Sequence, residues 1–241
     1  MKNVLIISVI AAFLFSGCLW VFDRTAIKGS GTVSKEQRVV SSFDKIEIVG
    51  TFTVYLSQGD EEIVEVEIDD NLQQYVEVRN EGSKLILDIR DEVKFGKTVK
   101  NIVHITVKNI DLFCVTGVCD IKTLHSLNCE FLTLDFGGVF NGELEIYCDK
   151  LDAYLSGVAN VELRGNVTEL NIKQEGVGNF NAIKMEAARV NVVNSGVGSV
   201  SVYATQELSM TNSGVGSITY SGDAEIKSMN SSGVGKIKKE K

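Results

Sequence analysis

The sequence predicts an all-β fold: a single-stranded parallel β-helix (β-solenoid) with rungs of about 19 residues, whose N-terminal strands continue or cap the stack. Three observations predict it. A Gly-Val corner recurs seven times in the C-terminal half. Apolar residues fall into fixed columns when the rungs are aligned on that corner. The chain has 22 glycines and no proline. Proline removes a ladder donor, whereas glycine permits tight corners and close backbone approach, so this balance suits long uninterrupted ladders.

The N-terminus reads as a targeting segment. Met1-Lys2-Asn3 is a short positive region, Val4 to Phe15 is uncharged and apolar apart from Ser8, and Ser16-Gly17 places small residues before Cys18. The pattern resembles the bacterial lipobox, in which the cysteine becomes the lipidated first residue. This divides the chain into a signal peptide (1–17), an anchor-proximal linker (18–29) and a folded domain (30–241). An uncleaved anchor is the alternative, because Val4 to Phe22 is 19 uncharged residues, just long enough to span a bilayer. Either way the domain is exported. The lipobox attaches it to the membrane of the cell envelope, at the outer membrane or cell surface.

The net charge of −8 argues against nucleic acid, which needs a basic face. Cys114, Cys119, Cys129 and Cys148 match no zinc spacing, and His104 and His125 are the only histidines. No metal and no cofactor are predicted.

The corner valines are Val118, Val139, Val158, Val177, Val197, Val215 and Val234, at intervals of 21, 19, 19, 20, 18 and 19. Glycine precedes each one. Five places earlier stand Phe113, Leu134, Ala153, Ile172, Val192, Met210 and Met229. Three places later stand Ile121, Val161, Phe180, Val200, Ile218 and Ile237, with Gly142 the exception. Polar columns alternate with these, the period-two pattern of strands buried on one face. A single rung cannot bury that face, whereas a stack at about 4.8 Å can. The corner glycine is expected either to take a positive φ or to let backbones approach. Asp120, Asn141, Asn160 and Asn179 form a column that can run as a hydrogen-bonded ladder. Cys129 and Cys148 each lie ten places before their valines. They therefore stand on neighbouring rungs, as a disulfide or as a buried thiol pair.

The N-terminal half is also strand-rich. Phe43 to Leu56 reads as a degenerate rung with Gly50 at the corner, and Ile63 to Asp69 alternates apolar with acidic residues. Lys84–Arg90 and Ile102–Lys108 repeat the strand pattern, and Asp91 to Asn101 reads as a loop. The segment Ser42-Phe43-Asp44-Lys45-Ile46, then Gly50, then Leu56-Ser57-Gln58-Gly59-Asp60, followed by Gly-Val-Gly rungs, is similar to the putative auto-transporter adhesin, head GIN domain family. The resemblance covers about residues 30–238. It implies a β-helical domain on secreted or surface lipoproteins with an adhesive role, and no catalytic motif.

Two uses are open for the outward columns. Asp135, Asp152, Tyr154 and Lys173 form a face that continues as Asn171, Asn191, Ser209 and Thr211. Paired carboxylates there suit a carbohydrate-active β-helix enzyme. The flat Asn/Ser/Thr ladder suits weak binding of glycan or extracellular matrix, and a plain solvated face fits the same residues. The acidic run Asp60 to Asp70 reads as a solvated edge before it reads as a calcium site. The reading favoured is a non-catalytic envelope lipoprotein presenting an adhesive or binding surface. The enzyme and a purely structural envelope protein are the alternatives.

Overall fold

The computed structural model describes residues 26–91, 93–96 and 100–240. Cys18, the signal peptide and the linker to residue 25 lie outside the described residues.

The rungs stack as parallel strands. Val139–Leu155 pairs with Val158–Gln174 from Val139↔Val158 to Leu155↔Gln174. The ladder then passes to Val177–Asn194 and Val200–Asn212. Ile218–Ser221, Glu225–Ser231 and Ile237–Lys239 form its end. Each turn has an outgoing part after the corner valine and a return part before the next corner.

Both apolar columns face inward. Phe113, Leu134, Ala153, Ile172, Val192 and Met210 are buried, as are Ile121, Val161, Phe180, Val200 and Ile218. Each larger aliphatic among them contributes about 1.5–3 kcal/mol on burial. The corner valines behave differently. They are in register from rung to rung yet exposed, from 40% at Val118 to 72% at Val234.

Of the two glycine roles considered, the one before the valine serves close approach. A β-carbon on Gly157 would collide with the carbonyl oxygen of Gly138 in the rung below. Positive φ belongs instead to the glycine after the valine in the later rungs, at Gly178, Gly198 and Gly216 (φ 137 to 144°). These later corners carry buried amides three places before the valine. Gln174, Asn194 and Asn212 stand where earlier rungs have Val115, Phe136 and Leu155. Gln174 Nε2 donates to Gly178 O (2.8 Å) and Asn212 Nδ2 to Gly216 O (2.8 Å). Earlier corners are apolar, as where Phe136 stacks on Phe140 with ring centroids 3.7 Å apart.

The N-terminal half both continues and caps the stack. Lys45–Ile48 and Thr51–Gln58 pair in parallel with Leu112–Val115 and Val118–Thr123, placing Thr51 beside Val118 and Gly50 at the corner. Lys84–Ile89 and Ile102–Val107 add a further parallel rung from separated pieces of chain. Ile63–Asp69, Val33–Arg38 and Val76–Glu81 then pair antiparallel and close this end. Part of the expected loop is structured. Lys94–Phe95 pairs with Ala26–Ile27, and buried Asn101 donates to Thr51 O (2.9 Å). The opposite end carries no such cap among the described residues. Ile226 and Met229, in inward columns, are 41% and 44% exposed there.

Candidate functional site

The stack brings the sequence-predicted face together on the return parts of the rungs. Asp152, Asn171, Asn191 and Ser209 are successive Cα partners in one column. Asp135, Tyr154 and Lys173 are successive partners in the adjacent column, which continues through Val193 to Thr211. Asp152, Tyr154, Asn171, Lys173 and Asn191 border a depression of about 300 Å³, whereas Asp135, Ser209 and Thr211 lie outside its lining. Its charges are mutually engaged. Asn171 Nδ2 donates to Asp152 Oδ1 and to Glu169 Oε1, both at 2.8 Å. Lys150 lies 3.3 Å from Glu169 and 3.8 Å from Asp152. The Asn171 bond, with help from Lys150, holds Glu169 below the usual carboxylate range. Lys173 pairs with Glu175 at 3.0 Å. Asp135 pairs in register with Tyr154, while Asp152 pairs with Thr133. The two carboxylates therefore occupy different columns.

A groove of about 470 Å³ lies on the outgoing parts, a face that sequence reasoning did not single out as a site. Its floor is Ile121, Gly142 and Val161. A β-carbon on Gly142 would collide with the Ile121 side chain, so this rung has no room to restore the apolar column. One wall is the column Asp120, Asn141, Asn160 and Asn179. Asn141 Nδ2 donates to Asp120 Oδ1 (3.3 Å) and Asn179 Nδ2 to Asn160 Oδ1 (3.5 Å). These bonds are long. Among the described residues none joins Asn160 to Asn141, directly over the Gly142 floor. Tyr55 borders the groove and stacks on His104 (centroids 5.3 Å apart, 20° between planes). His104 Nε2 in turn donates to Glu67 at 3.0 Å. The signal for this site was Gly142 itself, the lone gap in an inward column.

A family model, putative auto-transporter adhesin, head GIN domain, matches residues 42–224. The chain belongs to this family. The family description is that of an adhesin domain. A putative adhesin from Bacteroides fragilis is 28% identical, with a TM-score of 0.85, and the match covers 89% of this chain and 100% of that one. A putative lipid binding protein from Parabacteroides distasonis is 23% identical (TM-score 0.66, 90% and 100% covered) and shares the fold. So does a putative adhesin from Parabacteroides merdae at 20% identity (TM-score 0.66, 90% and 99% covered). No curated protein matches the chain.

The remaining reactive side chains of this head GIN domain are its thiols. Cys129 and Cys148 are Cα partners on adjacent rungs, half-buried and free. Cys119 is buried beneath the corner, and burial pushes its thiol up. Cys114 lies outward, with Glu47 and Asp135 as its Cα partners. Burial, then those two carboxylates, push its thiol up to about 11. The acidic run is tied into the N-terminal cap: Glu62 with Ser42 and Lys108, Glu65 with Lys35, and Glu67 with His104. Among the described residues no helix is long and apolar enough to cross a membrane.

Proposed function

We propose that the chain is a surface-exposed lipoprotein, anchored through Cys18, that acts as an adhesin by binding an extended, uncharged glycan in the groove over Gly142. The observation that carries this reading is the interrupted amide column. Asn141 and Asn160 present an acceptor and a donor that their own ladder leaves unused, one rung apart, in a groove that Tyr55 lines two rungs from Asn141. A rung spacing of about 4.8 Å is close to the rise of an extended β-linked hexose chain, so one sugar can meet one rung. Aromatic faces supply apolar contact area to a sugar ring, and amides supply the oriented donors and acceptors such sites use. Lys122, the lysine in the groove lining, lies 3.9 Å from Glu143, Glu162 is paired with Lys184, and Asp120 adds a further acid, which disfavours an anionic polymer. Non-catalytic binding also accords with the return face, where Asp152 is held by Asn171 and Lys150.

A glycan and matrix-protein array tests the reading. Binding of a neutral glycan should fall at least tenfold in Tyr55→Ala and in Asn160→Ala, and stay unchanged in Asp152→Asn. Loss in Asp152→Asn alone transfers the site to the return face. Turnover of any bound glycan by the wild type overturns the non-catalytic reading, and capture of matrix protein alone overturns the glycan. Separately, Cys18→Ala should abolish incorporation of labelled fatty acid, and retained label ends the lipobox assignment.

A further inference from the structure

Cys129 and Cys148 occupy a structurally weak point. The short stretch Leu127–Cys129 pairs in parallel with Ile146–Cys148 on one side. On its other side no strand of the stack continues the ladder among the described residues. A single side chain takes that place: Gln58 Nε2 donates to Asn128 O (2.9 Å), and Asn128 N donates to Gln58 Oε1 (2.7 Å). Leu127–Cys129 is thus a sheet edge, held by one ladder and one amide. The register resumes beyond Glu130 only at Phe131↔Lys150. An edge of this kind frays more readily than the central rungs.

The thiols stand where a staple would secure that edge. In-register parallel neighbours are about 4.8 Å apart at Cα, inside the range that disulfides span. Both cysteines are half-buried against the core and reachable from solvent. The register sets the two residues side by side. The Cys148 thiol favours the Cys129 thiolate, while the same contact and burial push Cys148 up. In the same column the next rungs carry Val167 and Ala187, which are fully buried, so the chemistry is confined to this edge.

We propose that Cys129 and Cys148 form a reversible cross-rung disulfide that locks the Leu127–Cys129 edge onto the neighbouring rung. The oxidant is a small-molecule disulfide. The Cys129 thiolate attacks one of its sulfurs, forming a mixed disulfide and expelling a thiolate. Cys148 then attacks the Cys129 sulfur, its proton passing to solvent, and expels the second thiolate. The dithiol loses two electrons and two protons, and the small disulfide is reduced to two thiols.

Oxidised glutathione, followed by mass spectrometry of the purified full-length chain, tests this. Both cysteines lie on one tryptic peptide, Thr123–Lys150. It should lose the mass of two hydrogens, and cleavage after Glu130 and Glu143 should leave fragments joined only through sulfur. Cys114 and Cys119 should remain fully alkylatable after unfolding. Amide hydrogen exchange over Leu127–Cys129 should slow at least tenfold on oxidation and recover with a dithiol reductant. Cys148→Ser should instead accumulate glutathione on Cys129. Wild type that retains both thiols free, or stable glutathione on Cys129 with Cys148 still alkylatable, overturns the proposal. These wild-type readouts decide the matter even where the serine variant fails to fold.

Discussion

Asn194 donates through Nδ2 to Oδ1 of Asn212 at 3.0 Å, with both side chains fully buried in the stack. Asn212 passes its own amide hydrogen to the carbonyl of Gly216. The amide thus replaces, inside the corner, the apolar filling of earlier rungs. Asn212→Ala should remove both bonds, leave Asn194 Nδ2 with only its longer bond to Gly198 O (3.4 Å), and cost about 1–3 kcal/mol. Urea denaturation should show the midpoint falling by that cost divided by the slope, with the slope unchanged.

The corner motif separates a structural residue from an exposed one. Gly157→Ala sets a β-carbon against Gly138 O and should destabilise by about 1–3 kcal/mol or more, as overpacking does. Val158→Ser, one residue on, changes an exposed side chain and should stay within about 0.5 kcal/mol. Thermal melts of the two variants measure the contrast, and equal losses would contradict this division.

Glu62 joins the cap to the stack by accepting from Ser42 Oγ at 2.8 Å, with Lys108 at 3.3 Å. The Ser42 bond, with Lys108, holds its carboxyl below the ordinary value of 4.5. A depressed carboxylate contributes stability above its unfolded pKa and loses it as pH falls through the folded one. The contribution is therefore present at pH 7 and disappears in acid, below the usual carboxylate range. Glu62→Gln should be less stable than wild type at pH 7, with the gap closing as the pH is lowered. Denaturation midpoints taken through the acid range check both the sign and the window.

The open C-terminal end exposes Ile226 and Met229 beside unpaired strand edges, and Lys238 and Lys239 sit on its last strand. Charged edge residues deter strand addition. Lys238→Thr with Lys239→Thr should make the protein associate end to end. Light scattering should register concentration-dependent growth in the variant and none in wild type.

Much of this was legible in the columns. The seven corners and the inward Leu, Ile and Val positions follow from a rule that repeats every rung. The same register set Cys129 beside Cys148. Two substitutions that break the rule also carried information whose meaning was hidden. Gly142, missing from its column, marks the groove floor. The change from Leu155 with Ala159 to Gln174 with Gly178 marks the switch from an apolar to a hydrogen-bonded corner. Spacing alone could not show that Gly178 turns its carbonyl toward the Gln174 amide.

The sequence by itself determined the coil, its period, its inward columns and its family, because in-register stacking makes each residue's neighbour the one a rung away. Tertiary structure alone decided that the corner valines stay exposed and that a groove lies on the outgoing face. It also decided that Gln58 seals the edge at Asn128, 70 residues distant. Those features arise where non-equivalent segments meet, and the one-dimensional repeat holds no record of such meetings. The Gly-Val corner specifies a scaffold, and the places where the scaffold departs from its own repeat are where binding and redox chemistry are proposed.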